Sequence, residues 1–192
     1  ARLPFATGPA KSRRSSQRRF ARMSVPDSAS AASIAFATLA DTADVAQLIA
    51  AMDAHYRPGE TLPPADDYRA MVAATLRERE GTRFVIARGA DGTPFGLACI
   101  AVIRPGRDLK GLVYLKDLFV VEQARGRGLG RSLMAFLARF ATDNGIGRID
   151  FTTDRDNEGA QRLYAALGAR VMEKIYYTLP GEQLAALATE MP

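Results

Sequence analysis

The 192-residue chain predicts an α/β layer sandwich on a mixed β-sheet, and three observations lead there. Short apolar runs bounded by turn residues alternate with amphipathic stretches in the order β-α-α-β-β-β-α-β-α-β. Strands in the first half follow one another through short turns, so part of the sheet is antiparallel hairpin. With 47% hydrophobic residues the chain can bury a core, which excludes wholesale disorder. The length allows one domain, or one domain with a tail. A single cysteine, Cys99, excludes an intramolecular disulfide framework, and a single histidine, His55, leaves no Cys/His zinc site. Uninterrupted apolar stretches such as residues 97–103 fall far short of the ~20 residues of a membrane helix.

Each element has its own signal. Residues 33–39 (SIAFATL) alternate enough for a first strand. Asp41 and Thr42 offer a helix N-cap ahead of Val45, Leu48, Ile49 and Met52, which share one helix face. Residues 56–64 contain Pro and Gly and read as a loop, and 66–79 as a second helix. Residues 84–87 are a short strand, Ala90-Asp91-Gly92-Thr93 a turn and 95–103 the next strand, which makes a hairpin. Pro105-Gly106 turns the chain again before a strand over 112–121. Leu129, Leu133, Phe136, Leu137 and Phe140 then form one stripe of a long helix, closed by Gly145 and Gly147. A strand over 149–153 and a short helix over 158–167, ending at Gly168, follow. Residues 171–178 read as a last strand, with a small terminal helix from Glu182, and no internal repeat is visible.

The basic charge is local. Residues 1–23 hold seven Arg and Lys and no acid, so removing them takes the formal charge from +5 to −2. A nucleic-acid reading of the whole chain loses its support. Residues 1–31, rich in Arg, Ser, Pro and small residues without periodicity, read as a disordered basic tail or extension, and 32–192 as the working domain. Three readings of the tail stay open: an extension upstream of a start at Met23, a transit-type presequence, and an arm for RNA or anionic lipid.

The chemistry concentrates in Arg125-Gly126-Arg127-Gly128-Leu129-Gly130-Arg131, between a strand and the long helix. Glycines there let the backbone approach a ligand, the helix N-terminus adds partial positive charge, and three arginines add full charges. Together these make a pyrophosphate cradle; the plainer alternative is a glycine turn with solvated arginines. A Walker loop is excluded because Arg131-Ser132 follows Gly130 where Lys-Ser/Thr is required. A dinucleotide fingerprint is excluded because the third glycine comes one residue early, although Asp150 sits where a ribose-binding acid would.

These residues resemble the GNAT superfamily of N-acetyltransferases. Its acetyl-CoA motif, Q/R-x-x-G-x-G/A, is matched by Arg125, Gly128 and Gly130, and its N-x-x-A-x-x-L-Y-x-x-x-G element by Asn157, Ala160, Leu163, Tyr164 and Gly168. The resemblance covers roughly residues 33–178 and is sharpest over 112–169, which makes the fold expectation a GNAT-type mixed sheet flanked by helices. Within the superfamily the chain looks most like the diamine and thialysine acetyltransferases, since residues 114–120 (YLKDLFV) are similar to their Y-L-E-D-F-F-V strand. His55-Tyr56-Arg57 corresponds to their K-Y-E segment. The glutamate of that strand is Lys116 here and the acid after the tyrosine is Arg57, so bases replace two acidic contacts for a polycation. A like charge in a cleft costs about 1 kcal/mol or more, which points to a monoamine, an amino acid or an anionic acceptor.

The resemblance implies direct acetyl transfer from acetyl-CoA, as cosubstrate and without a metal, to an amine. Leu118, Phe119 and Val120 would meet the pantetheine arm and residues 125–131 the pyrophosphate, with Gly126, Arg127, Leu129 and Arg131 included. Asn157 would bind the cofactor near its thioester, or serve simply as a helix N-cap. Tyr164, two turns further along the same face, is the family's general acid for the leaving thiolate. Tyr56, Lys116 and Asp117 are candidate acceptor-site residues; strand alternation turns Asp117 to the face opposite Lys116, where a structural role is the default. Asp53, Glu60, Asp66 and Asp67 are candidates for a base acting through water. Cys99 reads as a small core hydrophobe and His55 as a surface residue.

Alternative functions are a protein or peptide N-acetyltransferase, a non-catalytic acyl-CoA-binding regulatory domain, and a nucleic-acid tether in the tail. A homodimer is compatible with the resemblance, a cytoplasmic location is expected, and organellar import follows if residues 1–22 are a native presequence.

Overall fold

The computed structural model describes residues 33–78, 81–106 and 109–190, so the tail expected over residues 1–31 lies outside the described residues. The chain divides into two units, residues 1–152 and 153–192.

The first unit is built on β1 (Ser33–Phe36), α1 (Thr42–Tyr56), α2 (Ala65–Arg77), β2 (Thr82–Arg88), β3 (Pro94–Ile103), β4 (Leu112–Val120), α3 (Leu129–Asp143) and β5 (Arg148–Phe151). The strands form one sheet in sequence order, antiparallel from β1 to β4 and parallel between β4 and β5. Only the last pair needs a crossover, and α3 supplies it. The β2–β3 hairpin closes through residues 89–93: Asp91 Oδ1 accepts from the Thr93 N–H at 3.0 Å, and the Gly89 N–H donates to the Thr93 carbonyl at 2.9 Å. The first strand stops at Phe36 rather than residue 39. There the Thr38 N–H and hydroxyl both donate to Asp41 Oδ2, at 2.8 and 2.9 Å, and turn the chain into α1. Arg88 then forks between Asp41 and Asp44 and fastens the first turn of α1 to β2.

Every residue of β3 from Pro94 to Ile100 is buried, the pattern of a strand covered on both faces. On one face Val45, Leu48, Tyr68 and Val72 of α1 and α2 pack with Phe84, Ile86, Leu97 and Cys99. On the other lies α3, whose Leu133 and Leu137 are fully buried. Glycine at position 96 lets α3 pack close on the sheet, because a Cβ there would meet the Leu133 side chain at 3.1 Å and that of Ala87 at 3.3 Å. Further along α3, Phe136 and Phe140 stack edge-on against Phe36, and the Arg83 guanidinium lies 3.9 Å over the Phe36 ring.

In the second unit, α4 (Glu158–Ala166) and α5 (Gly181–Ala188) are joined by an irregular stretch, and none of its described residues is buried. The strand expected over residues 171–178 is not formed. These residues enter no β-ladder, and Val171, Ile175, Tyr176 and Tyr177 are between 77% and 98% exposed. Alternating apolar residues confer strand propensity, but a strand needs a hydrogen-bonded neighbour to exist. No helix of the described residues is long and apolar enough to cross a membrane.

Candidate active site

The sheet opens where β4 and β5 part. Their parallel register runs from Leu112 opposite Arg148 to Leu115 opposite Phe151 and ends there, while β4 continues beside β3 to Val120 opposite Gly96. From Lys116 onward β4 therefore presents one backbone edge that β5 does not cover. In an open α/β sheet, ligands enter outside the carboxyl ends of the strands, and this edge lies there.

The parting coincides with a β-bulge. Cys99 pairs with Asp117 but Ile100 pairs with Leu115, so Lys116 is the extra residue of β4. The bulge breaks the alternation that would place Asp117 on the face opposite Lys116. Lys116 Nζ instead donates to Asp117 Oδ2 at 2.8 Å, with the lysine side chain 67% exposed and the aspartate 23%. This hydrogen bond holds the Lys116 ammonium above its ordinary pKa. Beyond the bulge Leu118 and Val120 are half-buried and Phe119 is buried.

After Val120 a short 3-10 turn over Glu122–Ala124 leads into the glycine loop. Gly126 and Gly128 both have positive φ, +74° and +81°, and a Cβ on either would find no heavy atom within 4 Å. Gly128 is the N-cap of α3, and the Ser132 N–H, donating to the Gly128 carbonyl at 3.0 Å, is the first to join the helical ladder. Backbone donors of Leu129 and Gly130 precede that ladder and face out of the helix N-terminus, where the helix dipole places partial positive charge. Arg125, Arg127 and Arg131 are exposed around them. Arg125 also ties the loop to the end of β4, because its Nε donates to the Val120 carbonyl at 3.0 Å and its guanidinium lies 5.9 Å from the Phe119 ring centre. A glycine-lined, cationic concavity of backbone donors fits a diphosphate.

The end of α1 stands beside this strand. The His55 ring is 6.2 Å from that of Phe119 and 5.1 Å from that of Tyr56, which is exposed. One turn back, Asp53 Oδ2 accepts a 2.7 Å hydrogen bond from the hydroxyl of Tyr68, a buried residue of α2. Burial first, and then this bond and the carboxylate charge, push the Tyr68 phenol up to about 12. Arg57 donates to Glu60 at 2.7 Å and lies 4.0 Å from Asp53. Lys116 and Arg57, the two bases that stand where the resembled proteins carry acids, are thus each engaged by a carboxylate. Of the other carboxylates considered, Asp66 pairs with Arg69 on the solvent face at 2.8 Å. Cys99 is buried, and burial, helped by the Asp117 charge, pushes its thiol up to about 11, the opposite of what a nucleophile needs.

Local structure accounts for part of the second motif. Asn157 Oδ1 accepts from the Ala160 N–H at 3.1 Å, an N-cap to the third helical position. At the other end Gly168 has φ +80°, the Gly168 N–H donates to the Ala165 carbonyl at 3.0 Å and the Ala169 N–H to the Tyr164 carbonyl at 3.0 Å. That is a Schellman cap. Asn157 and Gly168 therefore delimit α4, and Tyr164, half-buried, belongs to its last turn. Neither the contribution of Tyr68 nor the bulge is evident from the sequence. Tyr68 has a faint signal there, one turn before Val72 on the apolar face of α2, but its partner lies 15 residues away on another helix.

Comparison with known proteins gives concordant results. The "Acetyltransferase (GNAT) family" model matches residues 47–169. The chain is similar to aminoglycoside N(6')-acetyltransferase type 1 of Salmonella typhimurium, at 27% identity over 128 residues, 65% of this chain and 78% of that protein. It is similar to thialysine N-epsilon-acetyltransferase of Bos taurus, at 34% over 58 residues, 30% of this chain and 34% of that one. Among solved structures, an integron cassette protein from the mobile metagenome of V. cholerae superposes with a TM-score of 0.76 at 28% identity, covering 82% of this chain and 98% of that chain. A match spanning the glycine loop and both capped ends of α4 leaves one assignment: the chain belongs to the GNAT family of acetyltransferases.

Proposed function

We propose that this acetyltransferase moves an acetyl group from acetyl-CoA directly to a primary amine of a small molecule, an amino acid or a simple amine. The observation that carries the reading is the positive-φ glycine loop at the N-terminus of α3, immediately after a strand whose edge β5 has left uncovered. Acetyl-CoA supplies the thioester carbonyl. The backbone of residues 126–131 takes the diphosphate, with Arg127 and Arg131 adding charge, and the open edge over 118–120 takes the amide-rich pantetheine arm as a strand would. Asn157, already an N-cap, is assigned to the thioester end. Tyr164 is assigned the proton delivered to the departing thiolate: a thiol of pKa ~8.5 leaves more readily with a phenol of pKa ~10 held against it. Tyr56, Lys116 and Asp117 are assigned to the acceptor side.

Support for a small amine comes from the relatives, whose names specify an aminoglycoside and thialysine as acceptors. The test is thiol release from acetyl-CoA with n-butylamine, lysine, kanamycin and a short peptide, with mass spectrometry of the products and CoA binding by calorimetry. An acetylated small amine, formed more slowly by Tyr164→Phe with CoA affinity retained, is the expected result. Acetylation of the peptide alone would replace the small-molecule reading. CoA binding with no product from any acceptor would favour a regulatory domain.

A further inference from the structure

Five charged side chains stand at the bulge and the end of α1: Asp53, Arg57, Glu60, Lys116 and Asp117; the His55 ring lies 6.2 Å from that of Phe119, and the Asp53 charge is felt at the Lys116 ammonium. Two close ion pairs account for four of them, Arg57 with Glu60 at 2.7 Å and Lys116 with Asp117 at 2.8 Å. Asp53 is left over. No cation among the described residues comes closer to it than Arg57 at 4.0 Å, and that guanidinium is engaged elsewhere.

The two oxygens of Asp53 are used unequally. Both the Tyr68 hydroxyl and the Arg57 guanidinium address Oδ2, and among the described residues Oδ1 receives no hydrogen bond or ion pair. The side chain is 28% exposed, and among the described residues no side-chain oxygen without a hydrogen-bond partner is buried, so Oδ1 meets solvent. The carboxylate is also held still. Tyr68 is 6% exposed, within the core that contains Cys99, and Cys99 is the register partner of Asp117 beside the bulge. A buried phenol fixing one oxygen while the other stays open is the arrangement of a binding group positioned for a cation. The group of five carries a net charge of −1, which one ammonium would neutralise.

We infer that Asp53 Oδ1 is the subsite that captures the acceptor amine as its ammonium, with Tyr68 as its positioning residue; the ammonium gives one proton to solvent before the neutral nitrogen attacks the thioester carbonyl. The inference rests on the acetyltransferase reading and deepens it: the site selects an acceptor by its cationic amine, and Asp117 and Glu60, paired with Lys116 and Arg57, offset the repulsion that those two bases alone imply. Tyr68 acts through Asp53 and touches no substrate.

Steady-state kinetics on the full chain test this, with n-butylamine, lysine and kanamycin as acceptors. Asp53→Asn keeps an acceptor for the Tyr68 hydroxyl and removes the charge. Loss of a charged hydrogen bond then raises KM for the acceptor about 10- to 100-fold, while KM for acetyl-CoA stays within about twofold. Asp53→Glu recovers part of the loss, and Tyr68→Phe, which frees the carboxylate, gives an intermediate rise in acceptor KM. If Asp53→Asn lowers the melting temperature but leaves acceptor KM unchanged, the pair merely joins α1 to α2 and the inference is overturned. Absence of both CoA binding and turnover in the wild type overturns the acetyltransferase reading itself, and the inference with it. CoA binding without turnover on all three amines overturns the inference and the small-amine acceptor, and leaves the diphosphate cradle standing.

Discussion

Replacing Gly128 by alanine separates a ligand cradle from a mere turn. Gly128 has φ +81°, and a Cβ there would meet no heavy atom within 4 Å, so the substitution creates no clash. Its intrinsic cost is the left-handed backbone, about 1–2 kcal/mol for a residue with a Cβ. For a domain of this size about 1 kcal/mol shifts Tm by roughly 2–4 °C, so Gly128→Ala loses between about 2 and 8 °C. The same Cβ occupies the space through which a diphosphate approaches the backbone, and CoA affinity falls at least about tenfold, or about 1.4 kcal/mol. Gly128→Asn is the control, because Asn tolerates positive φ but still projects a side chain. It recovers most of the Tm while CoA affinity stays low. Calorimetry with CoA and with pantetheine, which lacks the diphosphate, reads the effect, and only the CoA affinity falls. Unchanged CoA affinity in both variants, with Tm lowered in the alanine variant, would refute the cradle and leave Gly128 as a turn residue.

Two further outcomes follow from the site. Cys99→Ala leaves turnover within about twofold of wild type, and at pH 8 the Cys99 thiol, buried and pushed up to about 11, is alkylated by iodoacetamide far more slowly than free cysteine. Because the Tyr68 phenol is raised from 10.0 to about 12 in the folded chain, the folded state holds its proton more tightly than the unfolded state does. The resulting stabilisation is complete below pH 10 and is lost as pH rises from 10 to 12, so chemical denaturation over that range has a shallower pH dependence in Tyr68→Phe.

What the sequence discloses is what local rules govern. The stripe from Leu129 to Phe140 places α3 without tertiary information, and Asp91-Gly92 places the β2–β3 turn, since amphipathic period and turn chemistry are properties of a few neighbouring residues. Asn157 and Gly168 are legible for the same reason, as caps of the helix between them. The bulge at Lys116 is not. It is a mismatch of register between two strands, and alternation along one strand cannot report it, so alternation puts Asp117 on the wrong face and leaves the Lys116 charge unpaired. The Asp53–Tyr68 bond escapes notice in the same way, because two helices must pack before the hydroxyl has a partner. Residues 171–178 show the converse error. Their composition suits a strand, yet strand formation belongs to a pair, and they have no ladder.

Initial-rate kinetics with acetyl-CoA and the amine varied together most directly test transfer in a single ternary complex. With Cys99 buried in its neutral thiol form and no acyl carrier assigned among the site residues, the double-reciprocal lines intersect, and no acetylated protein accumulates when acetyl-CoA is added without amine. Parallel lines, together with an acetyl group trapped on the chain, would contradict direct transfer and require a nucleophile on the protein to carry the acetyl group.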